Sequence, residues 1–349
     1  MTTFFLNRLA TEPHALAFAG QSTPWPVALA DQTTDPSLDE ALRGHVAAAG
    51  RLLTPVAADL LATTGRPVDL FGFAPNPARL GAAADATASV EGVALTQLGA
   101  LLDLEHLGYG VAQAKPLAVL GHSQGVLAVH MTRAIEAAGS IEAAGTTLDE
   151  ILAVAALIGA AGTRRVRELG LNPKHGEASP MLSVKGATRV QVEALVARVN
   201  NARGPISIAV TNSDNHHVLS GYPEDLAAFA LEAEREHQHQ AKLREQKLHG
   251  GTVFNPTLEY LEVTLPFHSP LMADAVEQTV AWAGACGFDQ KRTRALAEEV
   301  LLNHVDWNAR VKALFDAADP SKLWIVDLGP GNTLGKLIGN VVQDRKSVV

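Results

Sequence analysis

Cysteine is almost missing from this chain: one residue, Cys286, stands among 349. A single thiol cannot close an internal disulfide, so a reducing, cytoplasmic setting is expected. Cys286 lies in the mostly apolar AVEQTVAWAGACGF, where a buried structural thiol is the simplest reading. Positive charge is also in short supply. There are 28 Lys and Arg against 37 Asp and Glu, a formal net charge of −9, which argues against non-specific nucleic-acid binding. No apolar run reads as long enough to span a bilayer, and the opening MTTFFLNRLATEP lacks the basic start and apolar centre of a signal peptide. No membrane partner is therefore expected. What the chain does have is 47% hydrophobic and 19% charged residues, the balance of a globular protein with one large or two smaller domains.

The most informative stretch is Gly121-His122-Ser123-Gln124-Gly125. Pro116–Leu120 before it reads as a short buried strand, and Val126–Ala138 after it reads as a helix. A strand, a sharp turn with a serine at its tip and then a helix is the layout of a nucleophile elbow. Two flanking glycines leave room for the bend, and the helix N-terminus favours negative charge beside the serine. A capping serine in a glycine-rich turn is the competing structural reading.

The rest of the chain reads as two textures. His14–Phe18 is a first strand running into Gly20-Gln21-Ser22, and SLDEALRGHVAAAGRLLTPVAADLLA is helical with a break near Pro55. GRPVDLFGFAPNPARL reads as loop, and SVEGVALTQLGALLDLEHLG as a helix beneath the elbow. EAAGSIEAAGTTLDE reads as a turn before the buried helix LDEILAVAALIGAAGTRRVREL. From about residue 178 to 263 the order becomes strand, helix, strand, strand, helix, strand: MLSVKG, TRVQVEALVARVN, ISIAVTNS, HHVLSG, PEDLAAFALEAEREHQHQAKLREQ and LEYLEVTL. That is the split βαβ order of a ferredoxin-like unit. The expected fold is α/β, with a core formed by residues 1–177 and 264–349 and the ferredoxin-like unit inserted at 178–263. The core resumes at FHSPLM and closes with a helix, the strand LWIVDLG and the helix NTLGKLIGNVV.

Serine needs a base within hydrogen-bond reach to act as a nucleophile. Of 13 histidines, His268 is the best placed, in Leu265-Pro266-Phe267-His268-Ser269-Pro270 just after a strand. His122 adjoins the serine and should point away from it. His216, His217, His237 and His239 read as a solvated face of the insert, and no cysteine or carboxylate set supports a metal there. The backbone N–H of Gln124, next after the serine, is a natural oxyanion donor, and Gln21 is a second candidate. GPGNTLGK fails as a phosphate loop: Pro330 stands where a glycine is required, and Leu337 where Ser or Thr is.

In order along the chain, FAGQS, GHSQG, LPFHSP and DLGPGNTLGKL resemble the acyltransferase domains of fatty acid and polyketide synthases. More narrowly, GHSQGVLAV, LIGAAGT and DLGPG resemble the acetyl (starter) transferase domain of actinobacterial type I fatty acid synthase. The resemblance spans nearly the whole chain and implies an α/β-hydrolase-like core with a ferredoxin-like insert. It implies Ser123 as nucleophile, His268 as general base, and Gln21 and Gln124 at the oxyanion hole. A backbone carbonyl from Val300–Asn303 would orient His268 in place of a triad aspartate. Malonyl transferases of this family carry an arginine in the helix after the elbow helix, and here Ile158 or Gly159 falls nearest that position. An apolar wall there would favour acetyl over a carboxylate-bearing group. Arg164, Arg165 and Arg167 follow and read as a solvated helix end. The implied substrates are acetyl-CoA and an acyl carrier protein, with no permanently bound cofactor and with other domains of a larger synthase as partners. A malonyl or palmitoyl transferase, a serine esterase and a non-catalytic domain are the rival readings.

Overall fold

The structure, a computed structural model, describes every residue other than 1–5, 7, 10, 66, 74–84, 172–177, 203, 247–253 and 347–349, and residues 73 and 343–346 by their backbone alone. In chain order the elements are β1 (His14–Phe18), α1 (Trp25–Gln32), α2 (Pro36–Leu52), α3 (Ala57–Thr64), α4 (Ala86–His106), β2 (Ala118–Gly121), α5 (Val126–Ala138) and α6 (Ile141–Glu168). Then come β3 (Met181–Lys185), α7 (Arg189–Ala202), β4 (Ser207–Ser213), β5 (His216–Ser220), α8 (Pro223–Glu245) and β6 (Thr257–Tyr260). The chain closes with α9 (Ala273–Ala285), α10 (Gln290–Leu301), β7 (Val305–Asp306), α11 (Trp307–Ala317), β8 (Trp324–Asp327) and α12 (Thr333–Lys346).

Local chemistry sets many of these boundaries. The Asp35 carboxylate accepts from the Ser37 and Leu38 N–H groups to start α2, with Pro36 in the first turn. Asp85 and Asp289 cap α4 and α10 in the same way. Ser140 accepts from the Ala143 N–H at 3.1 Å, so α6 begins at Ile141. This corrects the sequence reading: the turn is confined to Gly139, in the left-handed region at φ 83°, and Ser140. The small residues after it continue the helix. The stretch read as loop after Gly65 extends into residues 74–80, outside the described residues.

The first sheet is parallel, in the order β2-β1-β8. All five residues of β1 are buried. Phe18 lies opposite Gly121 of β2, and Ala17 opposite Asp327 of β8. The carboxyl ends of the three strands therefore meet, and the segments carrying Gln21, Ser123 and Gly329 leave from one edge. That edge is knitted together. Ala19 N–H donates to Gly329 O at 3.0 Å, and the buried Gln97 amide donates to both Ala19 O and Gly329 O. The carboxyl edge of a parallel sheet is the usual place for a ligand site.

Helix α6 runs through the middle of this half, packed on α2, α3, α4, α5 and α9. By length and composition it is apolar enough to cross a membrane, contrary to the sequence reading, because the helix is longer than the run of residues first assigned to it. In the fold, 61% of its apolar window is covered by protein.

The second sheet has the order β6-β3-β5-β4-β7. Its first four strands are antiparallel in the ferredoxin-like arrangement. Helices α7 and α8 cover one face, where Leu182, Val184, Leu195, Leu219 and Phe229 form their own apolar cluster. Two differences from the sequence reading stand out. Strand β6 ends at Tyr260, so only the first part of LEYLEVTL pairs. Strand β7, from the chain beyond the insert, joins β4 in parallel, tying this sheet to the segment that precedes α11.

Candidate active site

Ser123 sits between β2 and α5 at φ 53°, in the left-handed region that a non-glycine residue occupies at a cost. The close approach of elements around it demands glycine. A Cβ on Gly121 would come within 2.5 Å of the Val126 nitrogen, and one on Gly125 would overlap the Phe18 carbonyl oxygen. Gly20 likewise backs onto His122 O and the Ser123 Cβ. The elbow is thus wedged against the end of β1 with no room for side chains, which holds the Ser123 hydroxyl out at the strand edge.

Ser123 Oγ–H donates to His268 Nε2 at 2.7 Å. His268 comes from the loop before α9 and is also in the left-handed region, at φ 56°. On its other side, Nδ1–H donates to the Asn303 carbonyl at 2.8 Å. A carbonyl can only accept, so the proton belongs on Nδ1 and Nε2 is left bare to receive the serine proton. Asn303 is thus the member of the Val300–Asn303 segment that faces the ring. The neighbouring Ser269 N–H donates to Leu301 O at 3.1 Å and fixes the loop to the end of α10. His268 is 2% exposed. Burial pushes its pKa down to about 3, with the Asn303 hydrogen bond acting the other way and His122, His304 and Arg310 adding to the depression.

Gln21 and Gln124 meet across the edge of the sheet. The Gln21 amide donates to Gln124 Oε1, and the Gln124 amide donates to Val90 O in α4. Gln124 is fully buried. This chain of amides fixes the backbone after β1 relative to the backbone after Ser123. The three-residue turn at Ser123–Gly125 and then α5 begin at the same point, so the helix N-terminus adds a favourable field for an anion.

Ser123 opens on a cavity of about 610 Å³ between the core and the uncovered face of the second sheet. Met181, Val210, Val218, Leu261, Val263 and Phe267 give it apolar walls. Ser183, Asn212 and His216 interrupt them with polar groups, and Lys185, Glu259 and Lys336 also line the space. Lys185 is paired with Glu259 at 3.0 Å.

Residues 180–260 match the family described as the fatty acid synthase central AT domain. A fatty acid synthase beta subunit of Cochliobolus carbonum is 27% identical over 251 residues, which is 62% of this chain and 12% of that protein. Fatty acid synthase 2 of Mycosarcoma maydis is 29% identical over 168 residues, 45% of this chain and 4% of that protein. The chain therefore spans a small part of the curated relatives it matches. The chain is thus similar, over residues 180–260, to the central acyltransferase domain of fatty acid synthases and, more widely, to fatty acid synthase subunits. Solved structures share the fold. A malonyl-CoA:acyl carrier protein transacylase of Xanthomonas oryzae superposes with a TM-score of 0.64 at 19% identity, over 95% of this chain and 92% of that one. The acyltransferase domain of the second module of the salinomycin polyketide synthase gives 0.58 at 19% identity, over 95% and 67%.

Within that shared fold, two residues singled out from sequence lie away from the cavity. Ile158 is fully buried in α6, and Gly159 backs onto the Ala86 carbonyl, where a Cβ would collide. Neither is among the lining residues. Gly159 serves the packing of α6 on α4 and Ile158 the core, and the apolar cavity wall is drawn instead from Phe267, Leu261, Val263 and the second sheet. Arg164, Arg165 and Arg167 are also engaged elsewhere. Arg164 meets Glu168 and Gln278, Arg165 meets Leu271 O and Asp274, and Arg167 meets Thr63 O.

The histidines of the insert need correction too. His216 lines the cavity, His217 is fully buried and His237 Nδ1–H donates to Phe254 O at 2.7 Å; only His239 has the exposed position expected for all four. The alternation of β5 turns successive residues to opposite faces, so adjacent histidines belong to different environments. His122 turns from Ser123 toward Asn212 Oδ1, at 2.8 Å, and meets the Trp307 ring edge-on at 5.3 Å. Sequence reasoning passed over Ser183 and Asn212 and placed His216 in solvent. The signal was present as strand parity: 181, 183 and 185 share a face, as do 210 and 212, and 216 and 218.

Proposed function

We propose that this chain is an acyl-CoA:acyl-carrier-protein S-acyltransferase that moves an acetyl group through Ser123. The observation that carries the reading is the hydrogen-bonded series from Ser123 Oγ through His268 to the Asn303 carbonyl. Ser123 Oγ attacks the thioester carbonyl carbon of acetyl-CoA as its proton passes to His268 Nε2. The backbone N–H groups of Gln21 and Gln124 hold the oxyanion. The C–S bond breaks, and His268 returns the proton to the departing CoA sulfur. The phosphopantetheine thiol of the carrier protein then gives its proton to His268 and attacks the acyl-serine. The C–O bond breaks and the proton goes back to Ser123.

A histidine oriented by a neutral carbonyl lacks the charge support that a triad carboxylate gives an imidazolium. That suits an activated thioester with a good leaving group better than an amide. The esterase reading is weaker here, because the later His304 pairs with Thr211 at 3.1 Å and not with the serine.

The choice of acetyl rests on the cavity. Among the described residues lining it there is no arginine; its two lysines are Lys185, paired with Glu259, and Lys336, which is exposed on α12. A malonyl carboxylate buried against Phe267 and Val263 without a guanidinium would carry a large desolvation cost. The similar solved structures include several malonyl transferases, so malonyl is the reading to test against. Wild-type protein given acetyl-, malonyl- or palmitoyl-CoA separately is expected to acylate fastest with acetyl, by at least about tenfold over malonyl. Intact-mass measurement of the acyl-enzyme against time reads the rates. Faster malonylation would overturn the acetyl assignment and leave the transferase reading standing.

A further inference from the structure

We propose that Ser183, held by His216 on the inner face of the second sheet, donates a hydrogen bond to an amide carbonyl of the phosphopantetheine arm. That arm is common to CoA and to a loaded carrier protein, so the inference rests on the acyl-transfer reading above and deepens it.

The argument begins with strand alternation. Met181, Ser183 and Lys185 of β3 face the cavity together, and β5 places Val218 opposite Ser183 and His216 opposite Lys185. Ser183 is 2% exposed and lies in a largely apolar wall, where a polar group without a partner is costly. Its Oγ is 3.0 Å from His216 Nε2. The other ring nitrogen of His216, Nδ1, is buried with no hydrogen-bond partner among the described residues.

These facts fix the direction of the bond. The ring is neutral, because burial and the facing Lys185 push the His216 pKa down to about 4. A neutral imidazole carries one N–H. Orphaned buried N–H groups are rarer than under-satisfied acceptors, so the hydrogen belongs on Nε2 and the bare lone pair on Nδ1. Nε2–H then donates to Ser183 Oγ. Among the described residues the serine's own hydrogen has no acceptor in the wall, so it is free for whatever fills the cavity.

Asn212 repeats the pattern on the same face. Its Oδ1 accepts from His122 Nε2, so what it has left to offer is the donor end of the amide. The stretch of wall around Ser183 carries no net charge: Lys185 is balanced by Glu259 and His216 is uncharged, while the further lining lysine, Lys336, is exposed on α12. Donors in a neutral, mostly apolar channel select a neutral chain bearing carbonyl acceptors. An acetyl group has one carbonyl, which belongs at the oxyanion hole. The pantetheine arm carries two amides beyond its sulfur, which is the arrangement this wall suits.

The test compares two acetyl donors on the acylation of Ser123: acetyl-pantetheine, which has the arm, and p-nitrophenyl acetate, which does not. In Ser183→Ala, kcat/KM for acetyl-pantetheine is expected to fall about tenfold, mostly through KM. The loss with p-nitrophenyl acetate should be at least about fivefold smaller. Ser183→Thr, which keeps the hydroxyl, should recover most of the acetyl-pantetheine activity. Equal losses with both donors, or no loss with either, would overturn the assignment of Ser183 to the arm. If wild-type Ser123 took acetyl from neither donor, the acyl-transfer reading itself would fall, and this inference with it.

Discussion

Replacing His268 with alanine is expected to slow acylation of Ser123 by acetyl-CoA about 10²- to 10⁴-fold. Removing a positioned base leaves the serine hydroxyl to lose its proton to water. Among the described residues the nearby histidines are engaged elsewhere: His122 is turned to Asn212 and His304 to Thr211. The loss should fall on kcat rather than on KM, because His268 lies behind the serine with its far side on Asn303 O. The pH profile carries the same signature. A base works only when unprotonated. With its pKa held near 3 by burial, His268 stays unprotonated through the whole working range. The kcat/KM for acylation should therefore stay nearly flat between pH 8 and pH 5, whereas an exposed histidine would give a fall centred near about 6.5. A loss below tenfold in His268→Ala, or a clear fall near that pH, would show that the imidazole is not the working base.

The second large effect is structural. Gly125→Ala should destabilise the protein by about 3 kcal/mol or more. The new Cβ would overlap the Phe18 carbonyl and lie 2.8 Å from the Ala19 carbonyl. Both are backbone atoms of a buried strand end that is hydrogen-bonded to Gly329, so neither can retreat as a flexible side chain could. Gly44→Ala in α2 is the contrasting case, since nothing lies within 4 Å of its added Cβ. There alanine should raise stability by about 0.5–1 kcal/mol through helix propensity. Thermal unfolding of both variants beside the wild type reads the opposite signs.

Much of this architecture is legible in the amino-acid order. His14–Phe18 and Val126–Ala138 have the same limits as β1 and α5, because each is bounded by residues with strong local preferences. The four strands and two helices of the insert follow from period-two and helical patterning, and the described strand order is the ferredoxin-like one. Ser123 and His268 could be paired on paper because the elbow and the proline-flanked loop are each distinctive, and they meet at 2.7 Å.

The misses have physical reasons. Ile158 and Gly159 were placed by position along α6, but which face of a mostly apolar helix meets the cavity depends on its neighbours: Gly159 meets α4 and Ile158 lies in the core. Strand β7 has only two residues, too few for any periodicity. His216 and His217 sit beside a polar turn and read as solvated, yet the ladder with β3 buries one and turns the other into the cavity. Non-local packing decided each of these, and single-chain patterns do not encode it.

The most direct test is to locate the acetyl group. Protein exposed to acetyl-CoA, quenched in acid and digested should carry acetyl on the peptide containing Ser123. Ser123→Ala should carry none, and addition of a phosphopantetheinylated carrier protein should discharge the wild-type label onto the carrier thiol. Label retained in Ser123→Ala, or label that the carrier cannot remove, would contradict acyl transfer through this serine.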